Sequence, residues 1–396
     1  MNAQGLHARA LVLARIMTTT TFFAHGFGVG MWSIAIANVK AGLKISDSEI
    51  GLALLAMSIG AILPMPIAAV AVSRYGGGRV SALCGLAYGF LLMALALAAN
   101  TGSLALILFC LGLAHGSLEI VMNAQASAVE IQWRSAIMSS FHAAWSMGGL
   151  LGAAAGGLIG AYHLPPEYGL CIPALVVIAL MGATLGPAFN TRVDKTEAHF
   201  ELVLPSQKTL GLALISFLAL VTEGSVANWT SIYLRDSIGP TADTFAAGYG
   251  SFAISMAIFR LAGGGLVRRF GPSTIMSCGA VVAAGGLAVV LAWPSLIAAY
   301  LGYALLGAGI ANVVPLAFSI AGQRFSDPAR SILMVATAGY AGYVIGPPLI
   351  GTVADHLSLR YALGIPLVAL VLVAVVSASG RAAGRRARPI EASADV

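Results

Sequence analysis

The sequence predicts an all-α membrane protein of twelve transmembrane helices, arranged as two pseudo-symmetric six-helix halves. Three observations carry this. Hydrophobic residues make up 59% of the 396 and charged residues only 9%, against about 25% charged in a soluble domain. The apolar residues fall in blocks of roughly 20, the length a helix needs to cross ~30 Å of hydrocarbon. Short motifs also recur at one spacing on either side of a charged linker.

The blocks lie at 16–38, 48–73, 79–99, 102–128, 135–161, 169–189, 209–234, 243–266, 273–292, 295–320, 330–354 and 361–379. In lipid their backbone groups need internal partners, so each is expected to be helical. Arg9 and Arg15 precede the first block as they would a signal peptide. That block is too long for one and carries His25, Trp32 and Asn38, so it reads as a mature helix. Cys84, Cys110, Cys171 and Cys278 sit in or beside apolar blocks without paired spacing and read as small packing residues. Zinc spacings, phosphate loops and nucleophile elbows are missing, so no cofactor, no metal and no enzyme chemistry are expected.

An even number of spans puts both termini on one side, and Lys/Arg placement says which. Of the 21 Lys and Arg, Arg260 lies within a span. Lys40, Lys44, Arg235 and Arg360 fall to the far side, and all the others to the side of the termini. Both termini are therefore expected in the cytoplasm, in an inner membrane. This placement accounts for the net charge of +6 without a nucleic-acid partner.

The motif SRYGG at 73–77 returns as RRFGP at 268–272, RSAIM at 134–138 as RSILM at 330–334, and Trp32 as Trp229. The offsets are all close to 196 residues, which points to duplication of six spans. The expected division is a first half at 1–190, a cytoplasmic linker at 191–208, a second half at 209–380 and a tail at 381–396. Such repeats build secondary transporters, with the solute site near the midplane.

The loop after the second span holds Arg74, Gly76, Gly77 and Arg79, with Ser73 before them. Its second copy holds Gly264, Arg269 and Gly271. This resembles the loop signature of the major facilitator superfamily, from which the acid is missing in both copies. GYVIGPPLIG at 342–351 and SMGGLLGAAAGG at 146–157 also fit. Within the superfamily, the run MNAQASAVE…SSFHAAWSMGGLLGA most resembles the fucose-permease-like branch. The resemblance implies the major facilitator fold, with spans one, four, seven and ten lining a central cavity. It also implies an acid in span four paired with an acid in span one; here span one offers His25 instead.

Ionisable groups in spans are costly, by at least ~2.5 kcal/mol, and mark function by default. His115, Glu119 and Asn123 are i+4 neighbours and form one polar stripe on span four. Counted at ~1.5 Å per residue from the cytoplasmic end, His25, Glu119 and His142 fall within a few ångströms of one depth, and Glu223 lies deeper. No Lys or Arg reads as sharing these depths, Arg260 being nearer the cytoplasmic end. Desolvation disfavours an ionised carboxylate, which suits a group that loads and releases a proton in each cycle. Glu119 is thus the expected proton carrier, with His25 or His142 modulating it and Glu223 a further candidate.

Solute contacts are expected from Trp32, His115, Asn123, Trp145, Thr222, Ser225, Trp229, Asn312, Tyr340 and Tyr343. Aromatic faces beside amides suit sugar rings and compact polar molecules, although Trp32 and Trp229 also fit as interfacial anchors. Arg74, Arg79, Glu130, Arg134 and Arg269 are expected at cytoplasmic gates. The absence of a midplane cation disfavours anionic solutes. The function expected is proton symport of a small neutral, sugar-like solute by a chain acting as a monomer in the bilayer. Proton-coupled antiport exporting a cationic or amphipathic compound is the alternative.

Overall fold

A computed structural model describes residues 3–135, 137–161, 166–185, 205–239, 241, 244, 246–325 and 327–386. Among these residues all regular structure is helical. Of the expected linker at 191–208, residues 191–204 lie outside the described residues, as does the tail beyond 386. The helices of the first part of the chain are α1 (Ala3–Leu43), α2 (Asp47–Ile62), α3 (Met65–Tyr75), α4 (Gly77–Ala94), α5 (Thr101–Trp133), α6 (Met138–Ala161) and α7 (Pro166–Ala183). They are followed by α8 (Leu210–Ser237), a π-turn (Ala246–Gly250), α9 (Ser251–Phe270), α10 (Pro272–Ala292), α11 (Leu296–Ile310) and α12 (Val313–Arg324). The last are α13 (Pro328–His356), α14 (Leu359–Ala362) and α15 (Gly364–Arg386).

Among the described residues, each of the twelve expected spans falls on a helix or a pair of helices. Nine helical stretches among the described residues are long and apolar enough to cross a membrane. The other three spans are α6, the shorter α7, and α2 with α3. Proline accounts for the interrupted spans. Pro64 separates α2 from α3, because it brings no N–H to the ladder and its ring crowds the preceding turn. Pro315 acts the same way near the start of α12, where Ala311 and Asn312 separate it from α11.

Helix ends are fixed by local chemistry. Ser46 and Glu49 form a capping box at α2, and Asn100 does so with Ser103 at α5. Within α1, Thr18, Thr19 and Thr21 turn their hydroxyls back to the carbonyls of Ala14, Arg15 and Met17, which hides these groups from lipid. The two loop motifs adopt the same turn. Gly76 and Gly271 sit at φ +87° and +79°, values that residues with a Cβ rarely adopt.

The chain divides into two compact units. The first comprises Met1–Glu201, Val226–Ala253 and Pro347–Ala362; the second comprises Leu202–Ser225, Ile254–Gly346 and Leu363–Val396. Parts of the expected second half therefore pack with the first half in unit 1.

In unit 1, α1 packs closely on α6. A Cβ on Gly26 would lie 2.0 Å from the Trp145 carbonyl oxygen, and one on Gly30 would lie 1.9 Å from that of Gly149. From the other side, Gly148 and Gly152 meet the carbonyls of Phe23 and Phe27. Helices in lipid associate by such small-residue approach rather than by hydrophobic exclusion. The same device joins α2 to α5 at Gly60, Gly112 and Gly116, and, in unit 2, α10 to α11 at Gly279 and Gly309.

Candidate functional site: a row of titratable side chains

The glycine seam between α1 and α6 sets Trp145 against His25. The Trp145 Nε1–H donates to His25 Nδ1 at 3.1 Å. His25 Nε2 in turn lies 2.8 Å from His115 Nδ1 on α5. The other nitrogen of His115 lies 3.7 Å from Glu119 Oε2, one turn further along α5. Tyr88 of α4 closes the side of the row, with its ring 5.2 Å from His25 and 6.0 Å from His115. His25 is 1% exposed, whereas the Glu119 side chain is 45% exposed. The row thus runs from a buried imidazole to an accessible carboxylate.

The expected stripe on α5 is present, with altered roles. His115, expected as a solute contact, lies between His25 and Glu119. The His142 ring, expected at the same depth as His25, meets Phe22 edge-on at 5.3 Å, and the residue is exposed. Asn123 donates from Nδ2 to the Glu119 carbonyl at 2.8 Å.

In unit 2, Glu223 lies 3.5 Å from Arg260 Nη2. This corrects the expectation that no cation shares the depth of the buried carboxylates. The helix carrying Arg260 continues to Phe270, four residues past the end inferred from the sequence, so Arg260 lies deeper than its count suggested. Pro315 explains where the rest of its guanidinium goes. Having no N–H, Pro315 leaves the Ala311 carbonyl without its helical donor, and Arg260 Nε donates to that carbonyl at 3.1 Å. Asn312, at the same break, donates to the Phe259 carbonyl at 2.9 Å.

The Thr222 and Ser225 hydroxyls bond carbonyls of their own helix, those of Leu218 and Val221. Tyr340 and Tyr343 are exposed, and the Tyr343 ring lies beside Gly224. Trp32 and Trp229 are 4% and 0% exposed, and both indole N–H groups are buried without a hydrogen-bond partner. That burial argues against the anchor role and costs roughly 1–3 kcal/mol for each orphaned donor.

Among the residues expected at gates, Glu130 accepts the N–H groups of Ile137 and Met138 at 2.7 and 2.5 Å. It therefore caps the start of α6, while Arg134 closes α5 in the left-handed conformation. Arg74 lies over Tyr75 and Arg269 over Phe270, and Arg79 is exposed.

A further cluster in unit 1 escaped the sequence reading. Lys40 Nζ lies 2.7 Å from Asp47 and 3.8 Å from Asp236. The Asp355 carboxylate accepts the N–H groups of Asp47 and Ser48 at the start of α2, at 2.8 and 3.1 Å. Ser231 Oγ donates to the Ser33 carbonyl, and Arg235 to that of Ala37. Four charged residues at helix ends were the available signal, but only Lys40 and Asp47 are near in sequence; Asp236 and Asp355 lie about 200–300 positions from their partners.

Comparison with known proteins bears on what these arrangements serve. The family description "Major Facilitator Superfamily" matches residues 18–209 and 212–394. The chain belongs to the Major Facilitator Superfamily. It is a transporter of that superfamily and a multi-pass membrane protein. An uncharacterized transporter of Sinorhizobium fredii, y4wD, is 32% identical over 365 residues, covering 90% of this chain and 95% of the relative. An uncharacterized superfamily transporter of Yersinia pestis is 32% identical over 386 residues, covering 96% and 99%. Among solved structures, the nucleoside transporter NupG matches this superfamily member with a TM-score of 0.71 at 15% identity, over 93% of this chain and 98% of that one. A bacterial homolog of the human lysosomal transporter Spinster, inward-facing and unoccupied, matches with 0.76 at 13% identity, over 99% and 100%. At such identities these likenesses establish the shared fold.

Proposed function

We propose that this transporter takes up a small neutral polar solute, sugar-like in chemistry, by proton symport across the inner membrane, with both termini in the cytoplasm. The observation that carries the reading is the row from His25 through His115 to Glu119. Titratable groups within spans are expensive to insert and are kept where protons or solutes pass. Glu119 is its accessible end. A carboxyl there takes a proton from one side and gives it to the other as the cavity changes access.

Alternating access rests on the two expected halves, 1–190 and 209–380, rocking about a site near the midplane. The cluster of Lys40, Asp47, Asp236 and Asp355 is the far-side gate in this reading. Its members come from both halves and join them within unit 1. His115, Trp145 and Asn123 are the solute contacts nearest the proton site. The Glu223 carboxylate neutralises Arg260, so that guanidinium is not a free anchor for an anion, and a neutral solute remains favoured. The fucose-permease-like motif run supports the sugar-like class. The chain is taken to act as a monomer in the bilayer without a cofactor.

One observation favours a second reading. Glu119 is 45% exposed and could hold a cationic compound directly, which suits export by antiport. Two experiments test the assignment. A thermal-shift series with hexoses, nucleosides and quaternary amines identifies the ligand class, because a ligand of the folded state raises its melting point. With a ligand in hand, proteoliposomes read the direction of proton flow. Alkalinisation on the side where solute is added marks symport, and acidification there marks antiport; no proton movement refutes both.

A further inference from the structure

The row has a direction that the chemistry of its first member imposes. An indole nitrogen is a donor only, so His25 Nδ1, 3.1 Å from Trp145 Nε1, must accept. The proton of a neutral His25 then sits on Nε2. That atom lies 2.8 Å from His115 Nδ1, which must therefore accept as well. The proton of a neutral His115 is left on Nε2, the atom facing Glu119. Three donors point the same way, from α6 through α1 to α5.

A further proton on either imidazole has no acceptor while the row is closed. On His25 it would sit on Nδ1, against the indole N–H. On His115 it would sit on Nδ1, against the N–H of His25, which could yield only by moving its own proton toward the indole. Glu119 is free of this constraint, since one carboxylate oxygen can face His115 while the other takes a proton. The other titratable side chains around the row are Tyr88 on α4, His142 on α6 against Phe22, and Tyr249, whose hydroxyl lies beside Gly149 on α6.

We propose that Trp145 is a positioning residue that locks His25 and His115 in their Nε2–H tautomers and so reserves the transported proton for Glu119. The imidazoles orient the carboxylate and do not themselves load. The use of that proton rests on the symport reading above; the tautomer lock does not.

The test is 15N spectroscopy of histidine-labelled full-length protein in lipid nanodiscs. His7, His142, His163, His199 and His356 are replaced by glutamine, so that only His25 and His115 report. With Trp145 intact, both rings should show a protonated Nε2 and a bare Nδ1 from pH 7 down to pH 6. Trp145→Phe removes the donor and keeps an aromatic ring. It should bring a second His25 tautomer and raise the doubly protonated fraction at pH 6 about fivefold, the worth of one hydrogen bond. An Nδ1–H tautomer on either ring with Trp145 intact overturns the proposal, as do unchanged spectra in the variant. If Trp145→Phe does not fold, the spectrum of the Trp145-intact protein still decides. If the tautomers are as stated but transport proves independent of protons, the symport reading fails and the lock stands.

Discussion

Gly26→Ala tests the seam on which the whole row depends. The added methyl would lie 2.0 Å from the Trp145 carbonyl oxygen, and ordinary contact begins near 3.4 Å. The obstacle is backbone, so α1 and α6 must part by about 1.4 Å along that line. A parting of that size takes the 3.1 Å bond between Trp145 and His25 out of range unless the side chains follow. Overpacking of this kind costs about 1–3 kcal/mol, and the lost hydrogen bond about 1 kcal/mol more. Alanine also gains roughly 1 kcal/mol over glycine in a helix, and a control removes that term. Gly285→Ala, in α10, adds a methyl with nothing within 4 Å. The two variants should therefore differ by about 2–4 kcal/mol, several degrees in thermal melting measured in one detergent. If Gly26→Ala melts within a degree of Gly285→Ala, the seam yields freely and cannot be what holds Trp145 in place.

Three other outcomes follow from the same structure. Lys40→Met leaves Asp47 without its 2.7 Å partner and should loosen the far-side gate. A cysteine at Ser33, 2% exposed, in an otherwise cysteine-free chain should then react several-fold faster with an impermeant maleimide added outside; an unchanged rate denies Lys40 a gating role. Arg260→Ala orphans both Glu223 and the Ala311 carbonyl, and should lower stability by about 1–3 kcal/mol, far more than Arg268→Ala at an exposed position. Adding Glu223→Gln should return part of the loss, and purely additive melting shifts would mean that the pair is not coupled.

What the sequence made legible was periodic or local. Block length located every span, and i+4 spacing put His115, Glu119 and Asn123 on one face of α5. What it hid depended on long-range packing. Nothing local joins His25 to Trp145, 120 residues apart; that contact exists because two glycine pairs let α1 and α6 touch. Arg260 was misplaced because α9 outlasts its apolar block by four residues and ends in charged ones. The break at Ala311 and Asn312 was hidden because its proline comes four residues after the carbonyl it orphans. The cap that Glu130 places on α6 was hidden because the N–H groups it accepts follow it by seven and eight residues, beyond the turn that ends α5.

The central claim is that Glu119 carries the coupled proton. The most direct measurement compares wild-type and Glu119→Gln protein in proteoliposomes, using the solute that the thermal-shift series selects. An imposed proton gradient should drive wild-type accumulation above equilibrium. The variant should retain binding and solute exchange but lose accumulation and solute-driven pH change. If Glu119→Gln still concentrates the solute as the wild type does, the proton travels elsewhere and the account is contradicted.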